Sequence, residues 1–190
     1  MNFERVYRLP YVREAGPLPV DHLRNGESES IDAANCQRVV QLLFNGMGVP
    51  LPRNVVLSME AFENLGDPVL IDLENGGLSW SEMRVHARNG DVVFAELRFD
   101  KEGKPIAREE HWSKRRKKSL HMGIHVFDHV LHGHLQGGGS SFDPMPAFLD
   151  RYSVVGLRRL DLTAAPNVEG FIEFAKQRLS EQYPKGYWPH

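Results

Sequence analysis

The fold of this chain is decided by residues 32–47, which read DAANCQRVVQLLFNGM. Apolar side chains recur there at steps of three, four, seven, eight and eleven residues from Cys36, which is the period of one helix face. They are Val39, Val40, Leu43, Phe44 and Met47. The pattern predicts a helix over about 33–46 with Asp32 as its N-cap, so that Cys36 lies in the first turn.

Cys36 is the only cysteine of the chain, which excludes an internal disulfide and a multi-cysteine zinc site. In the first turn of a helix, backbone N–H groups without helical partners and the positive end of the helix dipole both favour a thiolate. The position therefore predicts a nucleophilic thiol with a lowered pKa. The alternative is that Cys36 is a small packing residue at the buried edge of the helix.

Residues 120–126 read LHMGIHV and alternate between apolar and polar or small side chains, as a β-strand does. The alternation places His121, Gly123 and His125 on one face of the strand. The apolar side chains share the other face, which must be the core face. We therefore expect His121 to face a groove or solvent, with Gly123 leaving room beside it.

A second strand is predicted over about 130–135, in which His132 and His134 share a face. A thiolate needs a histidine as its base, and the base needs a third polar group that fixes its tautomer. Cys36 can supply the first role and His121 the second. His132 and His134 are alternatives for the third.

The composition is typical of a globular protein, with 41% hydrophobic and 25% charged residues. A helix followed by short strands, with a last helix over about 168–181, predicts an α+β fold in one domain, residues 1–190. The formal net charge of −2 indicates neither a nucleic-acid nor a membrane partner. We expect a protein that is cytoplasmic as synthesised, because its start carries no apolar signal segment and no later run approaches the roughly 18 apolar residues of a spanning helix.

Three further patterns carry no predicted function. His121, His125 and His129 recur every four residues, as zinc ligands on a helix do, but a strand breaks that alignment, so no metal and no cofactor is predicted. The basic run 114–118 follows two glutamates and is interpreted as a solvated loop. Residues 137–141, GGGSS, lack the flanks of a phosphate-binding loop and are interpreted as a flexible loop.

Taken in order, these motifs resemble the NlpC/P60 cysteine peptidases of papain-like fold. Members typically read Asp-Cys-Ser-Gly at the start of the catalytic helix, where residues 35–38 read NCQR. Their Pro-Gly-Asp-Leu-Val-Phe-Phe strand is similar to residues 89–95, NGDVVFA, and their His-Val-Gly-Ile-Tyr strand to residues 121–125, HMGIH. A Phe-Ile-His segment and an aromatic-basic closing strand follow, similar to residues 130–132 and 148–159.

The resemblance implies roles for the residues of the site. Cys36 would be the nucleophile, His121 the general base and acid, and His132 the residue that orients His121. The usual family spacing places the orienting residue at Gly133, so His134 on its other side is the alternative.

The resemblance also implies the extent of the domain and the lining of its substrate groove. It covers about residues 10–160, which leaves 161–190 as a C-terminal helical extension. Asn35 and Gln37 stand where the family has an Asp and a Ser that help to bind the free amine of a murein stem peptide. We therefore expect these two residues and His125 to line the groove, without a strong requirement for a free N-terminal L-alanine.

The implied function is a cysteine-dependent hydrolase that cleaves peptide or amide bonds, with peptidoglycan stem peptides as the expected substrate. Two alternatives are a non-catalytic structural component of the same fold, such as a phage-tail protein, and a thiol acyltransferase or amidase acting on a substrate other than murein. The family includes phage tail proteins and secreted effectors. We therefore also expect a virion or a secretion machine as a partner that delivers the protein to the cell envelope.

Overall fold

A computed structural model of the chain describes residues 2–12, 34–49, 51, 65–72, 76–100, 102–106, 120–134 and 138–184. Asp32 and the basic run 114–118 lie outside the described residues. The backbone of His134 is described, but its side chain is not.

The described chain contains five helices and one sheet. The helices are α1 (Phe3–Tyr7), α2 (Cys36–Met47), α3 (Trp80–His86), α4 (Met145–Arg151) and α5 (Val168–Gln182). The strands are β1 (Asp67–Ile71), β2 (Val92–Leu97), β3 (His121–Val126), β4 (His129–His134), β5 (Gly139–Pro144) and β6 (Tyr152–Arg159). They form a sheet of order β1-β6-β2-β3-β4-β5 in which neighbours are antiparallel. The predicted α+β class is confirmed.

Helix α2 begins at Cys36 because the residue pair before it is held in extended backbone. Ala34 forms a parallel bridge with the segment 10–12 through two backbone hydrogen bonds of 2.9 and 3.0 Å. Asn35 then caps the helix, its side chain accepting a first-turn N–H at 2.9 Å. The predicted helix is confirmed, but it starts later than expected, and its N-cap is Asn35 rather than Asp32.

Helices cover both faces of the sheet. Helices α1, α2 and α5 pack on the face formed by Met122, Ile124, Leu131 and Phe142, which is the main core. A smaller apolar cluster covers the other face, where α3 and α4 contribute Met83, Met145 and Phe148. The face predicted to be open to a groove or solvent is therefore partly closed. His121 is half-buried on it rather than exposed.

The C-terminal helix α5, predicted over about 168–181, is confirmed and is docked at both ends. At its start, the Asn167 side chain donates to the carbonyl of Gly46 in α2 at 3.1 Å. At its end, Gln182 and the Tyr183 hydroxyl donate to the carbonyl of Phe142 in β5 at 3.1 and 2.9 Å. Within the described ranges, no helix combines the length and apolar character needed to cross a bilayer.

Strand β5 corrects one prediction made from the sequence. Residues 139–141 belong to this strand and pair with β4, His134 with Gly139 and His132 with Ser141, whereas the glycine-serine run had predicted a flexible loop. Glycine and serine disfavour strands locally, and here the pairing with β4 overrides that preference. Because of this strand, Asp143 comes to lie beside the histidines of β4.

Candidate active site

Cys36 lies where the ladder between β3 and β4 ends. The last pair of that ladder is Gly123 with His132, and the thiol lies close enough for the next amide of β3, that of Met122, to donate to its sulfur. Gly133 makes room on the other strand, because a Cβ built there would lie 3.3 Å from the Cα of Cys36. The side chain of Cys36 is therefore only 4% exposed.

The electrostatics of Cys36 oppose the prediction of a lowered pKa. Burial raises the pKa of the thiol, and this effect outweighs the hydrogen bonds that favour the thiolate. Those bonds come from the backbone amides of Met122, Gln37 and Cys36 itself and from the hydroxyl of Tyr11. The resting group is therefore a neutral thiol, and a thiolate must be formed by transferring its proton to a base.

Two of the predicted site histidines are in direct contact. The Nε2 atom of His121 lies 2.9 Å from the Nδ1 atom of His132, and the two rings are nearly perpendicular at 85°. His121 precedes Met122, the residue whose amide points at the Cys36 sulfur. The structure thus places Cys36 beside Met122 at the start of β3, next in sequence to His121, and places His121 against His132 of β4.

Aromatic side chains hold both imidazole rings. Tyr152 stacks on His121 with ring centroids 4.6 Å apart and planes 13° from parallel. Phe148 stacks on Tyr152 at 4.5 Å and meets His132 edge-on at 5.1 Å. Burial, together with the neighbouring Cys36 and Asp143, raises the pKa of Tyr152 to about 12, so its hydroxyl stays protonated at neutral pH.

No sequence motif indicated Asp143, which lies on the far side of His132. Its Oδ2 atom is 3.2 Å from His132 Nε2, close enough for an N–H of His132 to face the carboxylate, although the geometry falls short of a straight hydrogen bond. The Ser141 hydroxyl donates to Oδ1 at 2.9 Å, and Arg151 lies 3.3 Å from Oδ2. Burial opposes ionisation, but His132, Ser141 and Arg151 together lower the pKa of Asp143 to about 2. The signal that could have found it is alternation along β5, had that strand been predicted.

The residues expected to line a substrate groove are all buried. Asn35 is 6% exposed and is occupied as the helix cap, and Gln37 is 2% exposed. His125 is 4% exposed, with its Nδ1 atom 3.1 Å from the carbonyl oxygen of Arg88, and burial lowers its pKa. A substrate could contact these three residues only if the residues that cover them moved aside. Their part in substrate binding stays a prediction.

The three histidines that recur every four residues do not lie along one helix face. His121 and His125 lie on β3, and His129 begins β4 after a turn in which Phe127 and Asp128 both have positive φ, 47° and 56°. These three side chains are therefore not aligned as they would be on a helix. Among the described residues, no group of three or more His, Cys, Asp or Glu side chains is arranged to hold a metal ion.

Similar proteins are found only in the comparison with solved structures. A scan against models of protein families finds no match, and neither does a search of curated proteins. Among solved structures, NlpC1 and NlpC2 from Trichomonas vaginalis are similar to this chain, each with 15% sequence identity and a TM-score of 0.47. Each match covers 83% of this chain but only 41% of NlpC1 and 44% of NlpC2, so the chain spans less than half the length of either.

Proposed function

We propose that the chain is a cysteine-dependent hydrolase of peptide or amide bonds. Cys36 is the nucleophile, His121 the general base and acid, and His132 the residue that orients His121. The observation that carries the proposal is the group of contacts where α2 and β3 begin, beside the end of the ladder between β3 and β4. There the sulfur of Cys36 accepts from the amide that follows His121, and His121 is in turn bound to His132 at 2.9 Å.

The arrangement suits general-base activation of a neutral thiol. His121 uses Nε2 for His132, so Nδ1 is the nitrogen that would take the proton from Cys36 as the sulfur attacks the substrate carbonyl. The same proton would pass to the leaving amine as the C–N bond breaks. Water, deprotonated by His121, would then hydrolyse the thioester. The backbone amides of Gln37 and Met122 favour negative charge on the sulfur, which helps the thiolate to form.

The substrate class rests on the sequence motifs that resemble the NlpC/P60 peptidases. On that basis the substrate is a peptide or amide bond of peptidoglycan. Asn35 and Gln37 replace the family's amine-binding pair, so cleavage is not confined to stem peptides with a free N-terminal amine.

A second candidate is a non-catalytic structural component with the same fold. The observation that favours it is the burial of Cys36, 4% exposed with a raised thiol pKa, which is typical of a packing cysteine.

Digestion of peptidoglycan separates the two candidates. Purified sacculi and isolated stem peptides are incubated with the wild type and with Cys36→Ala, and the products are resolved by mass. The hydrolase proposal expects new peptide fragments from the wild type alone, including fragments from substrates without a free amine. Identical product profiles for the two proteins would favour the structural role. Cleavage only of peptides with a free N-terminal amine would show that the interpretation of Asn35 and Gln37 is wrong.

A further inference from the structure

We infer that Asp143 is a positioning residue of this site, which acts through His132 to fix the tautomer of His121. Its catalytic meaning rests on the proposed function, whereas the positioning itself rests only on contacts among described residues. No sequence motif pointed to this residue, which lies on β5, beyond the strands that carry the two histidines.

The contacts form one continuous line. The carboxylate Oδ2 of Asp143 lies 3.2 Å from His132 Nε2, and the other ring nitrogen of His132, Nδ1, lies 2.9 Å from His121 Nε2. Register accounts for this line, because Val130 of β4 pairs with Asp143 and His132 pairs with Ser141, which places all four side chains on one face.

When both imidazoles are neutral, donor and acceptor chemistry along this line leaves one arrangement of protons. An ionised carboxylate only accepts hydrogen bonds, so the His132 nitrogen that faces Asp143 must be N–H. A neutral imidazole has one N–H, so Nδ1 of His132 is then an acceptor and calls for an N–H on His121 Nε2. The remaining nitrogen of His121, Nδ1, carries a lone pair. A general base for Cys36 needs that lone pair.

Asp143 is held in place for this role. Ser141 and Arg151 contact its two carboxylate oxygens at 2.9 and 3.3 Å, and its side chain is 13% exposed. The carboxyl is ionised at neutral pH because its pKa is about 2. The side chain of His132 is 0% exposed, so solvent does not compete for its ring nitrogens. Without the carboxylate, both tautomers of His132 become available. The tautomer of His121 that can act as a base, with its lone pair on Nδ1, is then no longer favoured over the other.

The test is a measurement of histidine tautomers that needs no substrate. Long-range ¹H–¹⁵N spectra of ¹⁵N-histidine-labelled protein, recorded at a pH where the imidazoles are neutral, report which ring nitrogen is protonated. His121→Gln and His132→Gln assign the two signals. In the wild type we expect the Nε2–H form for both residues. In Asp143→Asn we expect mixed tautomers at both residues, whereas the matched control Asp150→Asn, an exposed carboxylate in α4, should keep the wild-type spectrum.

Two spectroscopic outcomes would overturn the inference. One is a Nδ1–H form at either histidine of the wild type, a result that stands even if Asp143→Asn does not fold. The other is an unchanged spectrum in folded Asp143→Asn.

Kinetics then separate this inference from the proposed function. If the wild type hydrolyses its substrate, Asp143→Asn should lower kcat by about 10–100-fold with little change in KM, as found when the outer partner of an oriented histidine is removed at metal sites. An inactive wild type with the expected tautomers would refute the function and leave the positioning. An active Asp143→Asn with wild-type kcat would refute the positioning and leave the function.

Discussion

Gly133 in β4 packs directly against Cys36, so a substitution there should displace the thiol without replacing any of the proposed catalytic groups. A Cβ at this position would lie 3.0 Å from Cδ2 of the Tyr11 ring and 3.3 Å from the Cα of Cys36. The ring could turn away, but it also carries the hydroxyl that contacts the thiol. The Cα belongs to the first residue of α2 and can move only with the helix. Gly133→Ala should therefore displace Cys36 by a few tenths of an ångström.

The expected change in the free energy of unfolding of Gly133→Ala follows from these distances. Gly→Ala in an unstrained position stabilises a protein by about 0.4–1 kcal/mol, because the unfolded chain loses freedom. Overpacking of a well-packed site costs about 1–3 kcal/mol. At contacts of 3.0–3.3 Å, we expect the second effect to win and the free energy of unfolding to fall by about 1 kcal/mol. A small displacement of a nucleophile also lowers the rate, by up to about 100-fold for 1 Å.

The matched control is Gly139→Ala in the neighbouring strand. There the added Cβ would meet only the carbonyl oxygens of Leu9 and Tyr7 at 3.4 Å, which is ordinary van der Waals contact. Urea unfolding of both variants gives the stability difference, and iodoacetamide labelling of Cys36 reports the thiol. If Gly133→Ala were as stable as Gly139→Ala and its thiol reacted at the wild-type rate, the close packing of Gly133 against Cys36 would be refuted.

Three further predictions concern charge and catalysis. Since burial raises the pKa of Cys36, the pH midpoint of its alkylation should be higher in the native than in the urea-unfolded protein; a lower midpoint would show that the helix start outweighs burial. His121→Ala should reduce hydrolysis by about 100-fold or more. His125→Ala should keep most of the activity, because the His125 ring contacts a backbone carbonyl rather than the other site residues. Equal losses of activity in the two variants would contradict the assignment. The folded-state pKa of Asp143 is lowered from 3.8 to about 2, so its stabilising contribution is present above pH 4 and is lost as the pH falls toward 2. Between pH 6 and pH 2.5, the wild type should therefore lose about 1 kcal/mol more stability than Asp143→Asn, after allowance for solvent screening, and equal acid losses in urea titrations would refute this.

The elements that sequence could predict are those with a local period. Helix α2 and strand β3 follow from apolar side chains repeating every 3.6 and every two residues, and β3 carries His121 on the face that alternation assigns to it. The contact of His121 with His132 follows from a tight hairpin between two predicted strands. In these cases, neighbours in sequence determine the geometry.

What sequence could not predict depends on contacts between distant segments. The start of α2 is set by the bridge between Ala34 and residues 10–12, so the cap is Asn35. Asp143 reaches the site only because β5 pairs with β4 despite a glycine-serine composition. The pKa of Cys36 depends on burial, which a helix-start rule does not include. In each case a tertiary effect overrides a local preference.

The most direct test of the central claim is to trap the acyl group on the sulfur. Wild type, Cys36→Ala and His121→Ala are mixed with an activated peptide ester, quenched in acid and analysed by intact mass and peptide mapping. We predict a mass increase of one acyl group on the peptide that contains Cys36, absent in Cys36→Ala and formed at least about 100-fold more slowly in His121→Ala. Acylation at another residue, or at the same rate with and without His121, would contradict the account.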